Sequence, residues 1–150
     1  MKRFVLSVVA MVGAALLAGC SVLPEGPIFD EEKARAEALA KIPPKVPVDR
    51  IETLELGRLY DGYMLTAYAI APGAGYYQPE LKIRYGGRPA ADGFYEFDFL
   101  VRPPDDPAAF ADAPLTARQM RGDYSLPVEM LRGARGVRVW SARDSVEGRF

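Results

Sequence analysis

Phe94 to Val101, FYEFDFLV, is the stretch that most limits what this chain can fold into. Successive side chains of an extended backbone point to opposite faces. Tyr95, Phe97, Phe99 and Val101 therefore share one face, while Glu96 and Asp98 share the other with Phe94 and Leu100. The pattern predicts a central core strand, ended by Pro103-Pro104-Asp105-Asp106-Pro107.

The sequence around it has the same texture from Ile51 onward. Thr53–Tyr60 and Tyr63–Ala71 flank Asp61-Gly62, a pair suited to a tight hairpin because both central turn residues need positive φ. Glu80–Tyr85 alternates Leu81, Ile83 and Tyr85 against Glu80, Lys82 and Arg84. A weaker strand is expected over Pro114–Met120, and a helical turn over Pro127–Leu131 that crosses between sheets. Gly136–Ser141 and Ser145–Phe150 form a last pair around Ala142-Arg143-Asp144. About seven short strands over residues 51–150 predict an all-β domain, an antiparallel β-sandwich of immunoglobulin-like size without the cysteine pair of antibody domains. A small β-barrel is the alternative.

The start of the chain has a different character. Lys2 and Arg3 precede Phe4–Ala18, a 15-residue run interrupted only by Ser7 and Gly13 and closed by Leu17-Ala18-Gly19-Cys20. The run is shorter than the roughly 20 apolar residues a spanning helix needs. Positive start, apolar centre and small-residue end form a signal-peptide layout. Leu17, Ala18, Gly19 and Cys20 resemble the lipobox of bacterial lipoproteins. The resemblance covers residues 1–20 and implies cleavage before Cys20, with membrane attachment through lipid on that cysteine. It also implies an exported protein and, where the organism has two membranes, outer-membrane sorting, because Ser21 and not aspartate follows the cysteine.

Between signal and domain, residues 21–50 read as a tether. Pro24, Gly26 and Pro27 make a flexible stalk. Asp30 is placed to cap a helix over residues 31–42, with Glu31/Arg35 and Glu37/Lys41 at the favourable spacing of four. Pro43-Pro44 stops it.

Much chemistry is removed by composition. Loss of Lys2 and Arg3 with the signal lowers the basic count from 19 to 17 against 20 acidic residues, about −3 overall, which gives no attraction for nucleic acid. With no histidine the usual general base and imidazole metal sites are absent, one cysteine makes no internal disulfide, and lipid on Cys20, as the resemblance implies, leaves no thiolate nucleophile. The glycines at 73, 75, 86 and 87 lack the Lys-Ser or Lys-Thr pair of a phosphate cradle. No catalytic residue, cofactor-binding residue or metal ligand is assigned. Glu96 and Asp98 stand about 7 Å apart along one strand face, a spacing a glycosidase pair can use. The same spacing arises on the solvated face of any alternating strand, which is the expectation here.

Six residues remain as a candidate contact surface. If chain direction alternates, Tyr76, Tyr77, Asp105, Asp106, Phe110 and Arg143 lie on loops at one end of the domain, with aromatic faces available for stacking. Arg132, Arg135, Arg138 and Arg143 give the last third a basic bias, read as a solvated face, with contact to anionic lipid or wall polymer as the alternative. The expectation is a lipid-anchored, non-enzymatic binding or assembly module of the cell envelope. Its expected partners are the membrane through Cys20 and an envelope protein or wall polysaccharide. A hydrolase using carboxylates alone and a purely structural lipoprotein are the other two readings.

Overall fold

A computed structural model describes residues 27–150. The signal segment, Cys20 and the stalk before Pro27 lie outside the described residues. Helix α1 spans Pro27–Ala40. It begins earlier than the sequence suggests, with Pro27 in the first turn, where a missing N–H costs nothing. Asp30 therefore lies inside the helix and does not cap it. Among the described residues no helix is long and apolar enough to cross a membrane.

The second unit begins at Ile42. Its strands are β1 (Val46–Pro47), β2 (Arg50–Leu59), β3 (Gly62–Ile70), β4 (Tyr77–Ile83), β5 (Phe94–Arg102), β6 (Gln119–Pro127), β7 (Gly136–Trp140) and β8 (Ser145–Arg149). Short 3-10 turns at Pro107–Phe110 and Leu115–Arg118 precede β6, and helix α2 (Val128–Leu131) follows it. One sheet has the order β2-β3-β6. The other runs β1-β5-β7-β8, with β4 on the far edge of β5. The two sheets stay open and pack as a sandwich, as the alternation predicts, and not as a barrel.

The core strand is β5. Phe97, Phe99 and Val101 are fully buried and Tyr95 nearly so. They meet Leu65, Ala67 and Ala69 of β3 and Leu126 of β6, and the Phe97 ring stands edge-on to Tyr124 at 4.8 Å. Burying a side chain of this size contributes about 1.5 to 3 kcal/mol each, so this aromatic row dominates the cohesion of the two sheets.

Several details depart from the expected pattern. The domain starts before residue 51: β1 pairs Val46 with Val101 and Pro47 with Leu100, and Val48 is fully buried. The hairpin turn is Tyr60-Asp61, because Gly62 already pairs with Leu59. Glycine is needed there for another reason, since a Cβ on Gly62 would stand 2.0 Å from the Leu126 carbonyl oxygen. Strand β4 ends at Ile83, and Tyr85, at φ +52, turns out to solvent instead of joining Leu81 inside. The strand expected at 114–120 is displaced to Gln119–Pro127, with the Leu115–Arg118 turn ahead of it. Finally, β5 and β7 pair in parallel, Phe94 with Gly136 through Asp98 with Trp140. Parallel neighbours need a long connection; β6 and α2 supply it by passing through the other sheet, the crossover expected at 127–131.

Candidate functional site

The outer face of β5 holds the first concentration of charge. The pairing sets Glu96 opposite Arg138 of β7 and Arg138 opposite Glu147 of β8. On the other side, Arg84 follows β4 and its N–H donates to the Glu96 carbonyl at 2.8 Å. Three strands and the residue just after β4 thereby carry one alternating row, Arg84, Glu96, Arg138 and Glu147.

Glu96 is not a solvated residue, contrary to the expectation for this face: it is 5% exposed. Its Oε1 accepts from Arg138 Nη1 at 2.8 Å. Its Oε2 accepts from the Trp140 indole N–H at 2.9 Å and from Arg84 Nη1 at 3.3 Å. Burial of an anion is tolerated only with such partners. Asp98 accepts from Nε and Nη2 of Arg84, which raises the Arg84 pKa, with the Asp98 hydrogen bond as the largest cause. Arg138 also reaches Asp92 at 2.7 Å and Glu147 at 2.6 Å, and these bonds push its pKa up, Asp92 first. The Arg84 and Arg138 guanidiniums lie 4.9 Å from Trp140 and 5.0 Å from Phe94, within cation–π range. Each oxygen of Glu96 thus already accepts from protein donors. As a proton-transferring pair for glycoside cleavage, Glu96 and Asp98 present no unoccupied oxygen on Glu96 to a substrate.

The second concentration lies at the end of the sandwich where β3, β5 and β7 finish. Three loops meet there, as the alternation of chain direction implies. Arg118 donates through Nε and Nη2 to the Ala71 carbonyl at 2.9 and 2.8 Å, and Ala71 N–H returns to the Arg118 carbonyl at 2.8 Å. Phe110 lays its ring over Gly75, where an added Cβ would come within 2.5 Å. Arg143 Nε reaches Asp49 Oδ1 at 2.8 Å, with Arg118 Nη2 3.9 Å from the other oxygen. Around these residues opens a cleft of about 420 Å³, walled by Ile70, Leu115 and Thr116 as well as the two arginines and Asp49.

The six candidate residues divide between parts of this end. Tyr76 is half-buried against the core, whereas Tyr77 and Phe110 are 39% and 41% exposed. Asp106 accepts from the Ala108 N–H at 3.0 Å and caps the Pro107–Phe110 turn, and Asp105 is exposed beside it. Arg143 belongs to the cleft with Asp49 and Arg118, two residues that the sequence reading passed over. Asp49 sits in what reads as tether, and Arg118 in what reads as a strand, so neither carries a sequence signal. Nor do the four arginines of the last third form one patch. Arg138 is enclosed by carboxylates, Arg143 is at the cleft, Arg135 leans on Phe94 at 6.0 Å, and Arg132 is exposed at the end of α2.

Among the described residues no group of three or more potential metal-ligating side chains is present. No protein family, curated protein or solved structure matches this chain.

Proposed function

We propose that this chain is a lipid-anchored protein of the cell envelope whose β-sandwich binds an envelope component through the loop end and performs no chemistry on it. The observation that carries the reading is the cleft: concave sites are where ligands bind, and this one gathers charged and polar groups beside an apolar wall of Ile70 and Leu115. Exposed apolar side chains border it, with Leu115 71% exposed and Phe110 on the neighbouring turn. Attachment through Cys20 rests on the lipobox resemblance and would keep the protein at the envelope. A carboxylate-only hydrolase is the weaker reading, because both oxygens of Glu96 are already engaged.

The test compares full-length protein with a Phe110→Ala, Leu115→Ala double variant in retention of cross-linked envelope components. Interface energy concentrates in a few anchors, aromatic residues and arginine above all. The variant should keep the wild-type melting temperature and lose what the wild type retains. Equal retention at equal stability would remove the loop end from the proposal.

A further inference from the structure

The cleft carries more donors than its own residues use. Five residues with formal charge line it, Arg50, Arg118 and Arg143 against Asp49 and Glu52, so cation exceeds anion by one. Arg118 is held rigidly by its two bonds to the Ala71 carbonyl. Asp49 is the single carboxylate between Arg118 and Arg143, and its side chain is only 15% exposed. Each guanidinium has five N–H donors in a fixed fork. Arg143 meets Asp49 through Nε at 2.8 Å and, among the described residues, forms no ion pair with any other carboxylate, on a side chain 72% exposed. Ile70 and Leu115 supply an apolar wall beside these donors.

We infer that the cleft takes a ligand bearing a compact oxyanion, carboxylate or phosphate, held between Arg118 and Arg143 with its apolar portion against Leu115. Guanidinium forks match both oxyanions bidentately. Asp49 acts in this arrangement as an internal competitor. It lies between the two arginines, 2.8 Å from Arg143 and 3.9 Å from Arg118, and it opposes the incoming charge. The inference rests on the loop end being the contact surface proposed above, and it names the chemistry which that surface selects.

The experiment titrates the full-length protein in neutral detergent with sodium phosphate and with sodium propionate at constant ionic strength, following binding by calorimetry. At least one should saturate, with a Kd on the order of 1 mM as suits a small fragment of a ligand. Tighter binding of propionate assigns a carboxylate, tighter binding of phosphate assigns a phosphate, and either supports the inference. Arg143→Ala should weaken binding about tenfold, the loss expected for charge-assisted hydrogen bonds. Asp49→Asn keeps the shape, removes the competitor and should tighten binding. Arg149→Ala, at the opposite end of β8, should change nothing. Failure of both anions to saturate overturns the inference, as does an unchanged Arg143→Ala or a weaker Asp49→Asn that melts like the wild type. If the anions fail while the Phe110→Ala, Leu115→Ala variant still loses retention, the contact surface stands and only the oxyanion is wrong.

Discussion

The indole N–H of Trp140 donates to Oε2 of Glu96 at 2.9 Å, setting an aromatic ring beside a carboxylate that is almost wholly buried. The bond joins β7 to β5 across their parallel pairing, and Arg84 and Arg138 close the same carboxylate from either side. Removing one member of a buried ion pair leaves the others uncompensated. Glu96→Ala should therefore destabilise the domain by about 3 kcal/mol, the lower end for such changes, because Arg138 keeps Asp92 and Glu147. Glu96→Gln, which preserves an oxygen acceptor, should cost less. Denaturant midpoints of the two variants check the order, and equal midpoints would show that charge is not what the three donors require.

The start of the domain can be located by truncation. Removal of residues up to Lys41 leaves β1 in place and should preserve cooperative unfolding. Removal up to Asp49 takes away Val46 and Val48 and uncovers the upper part of β5. The loss of one fully buried valine alone is about 1.5 to 3 kcal/mol. Calorimetric unfolding of both truncations separates them, with Phe97→Ala, at about 3 to 5 kcal/mol, as a core reference.

Tyr76 and Tyr77 should respond in opposite ways. Tyr76 packs on the core, so Tyr76→Ala should lower stability by about 2 kcal/mol. Tyr77 is exposed on β4, and Tyr77→Ala should stay within about 0.5 kcal/mol of wild type. Matching melting temperatures for the two variants would contradict the packing described.

Acid should weaken the fold in a defined window. The Thr66 hydroxyl donates to Asp123 Oδ1 at 2.7 Å, and this bond, followed by Arg121, holds the Asp123 carboxyl below its ordinary 3.8. Arg138 does the same for Asp92 and Lys45 for Glu80. In the unfolded chain these groups take up protons first as pH falls, so their stabilisation is complete above their ordinary values. It is lost as pH drops through the lower folded values. Urea midpoints should hold level down to about pH 4.5 and decline below it. Thr66→Val should flatten part of that decline; an unchanged slope would dissociate Thr66 from it.

Cys20→Ala tests the anchor. Each buried methylene contributes about 0.8 kcal/mol and stable attachment takes two lipid signals, which a diacylated or triacylated cysteine meets. The variant should leave the membrane fraction or remain unprocessed. A processed variant bound as firmly as wild type would end the lipoprotein reading.

What the sequence discloses depends on how local each signal is. The row Tyr95, Phe97, Phe99 and Val101 is legible because strand alternation is a property of neighbouring residues. Strand β6 carries the same alternation in Met120, Gly122, Tyr124 and Leu126, yet it is hidden, since one core position is a glycine. There Phe99 fills the space, and a Cβ would meet its ring at 3.0 Å. The charged row is hidden for a different reason. Arg84, Glu96, Arg138 and Glu147 come together only through pairings of distant strands, so no local window contains the signal. The cleft is of the same kind, because its Asp49, Arg118 and Arg143 come from three separate loops.

The parallel union of β5 and β7 also fixes an order of completion. As the chain emerges from its N-terminus, β2 and β3 can pair at once, and β4 can close one edge of β5. The other edge, over Phe94–Asp98, stays open until Gly136–Trp140 arrives. An open aromatic strand is a template for association with other chains, and pairing across such a separation is slow. Within that open interval Glu96 has neither Arg138 nor Trp140, and of its three side-chain donors only Arg84, which follows β4, is already beside it. Two of the three side-chain donors to Glu96 therefore arrive with β7, so closing the parallel edge and neutralising this buried carboxylate are one event.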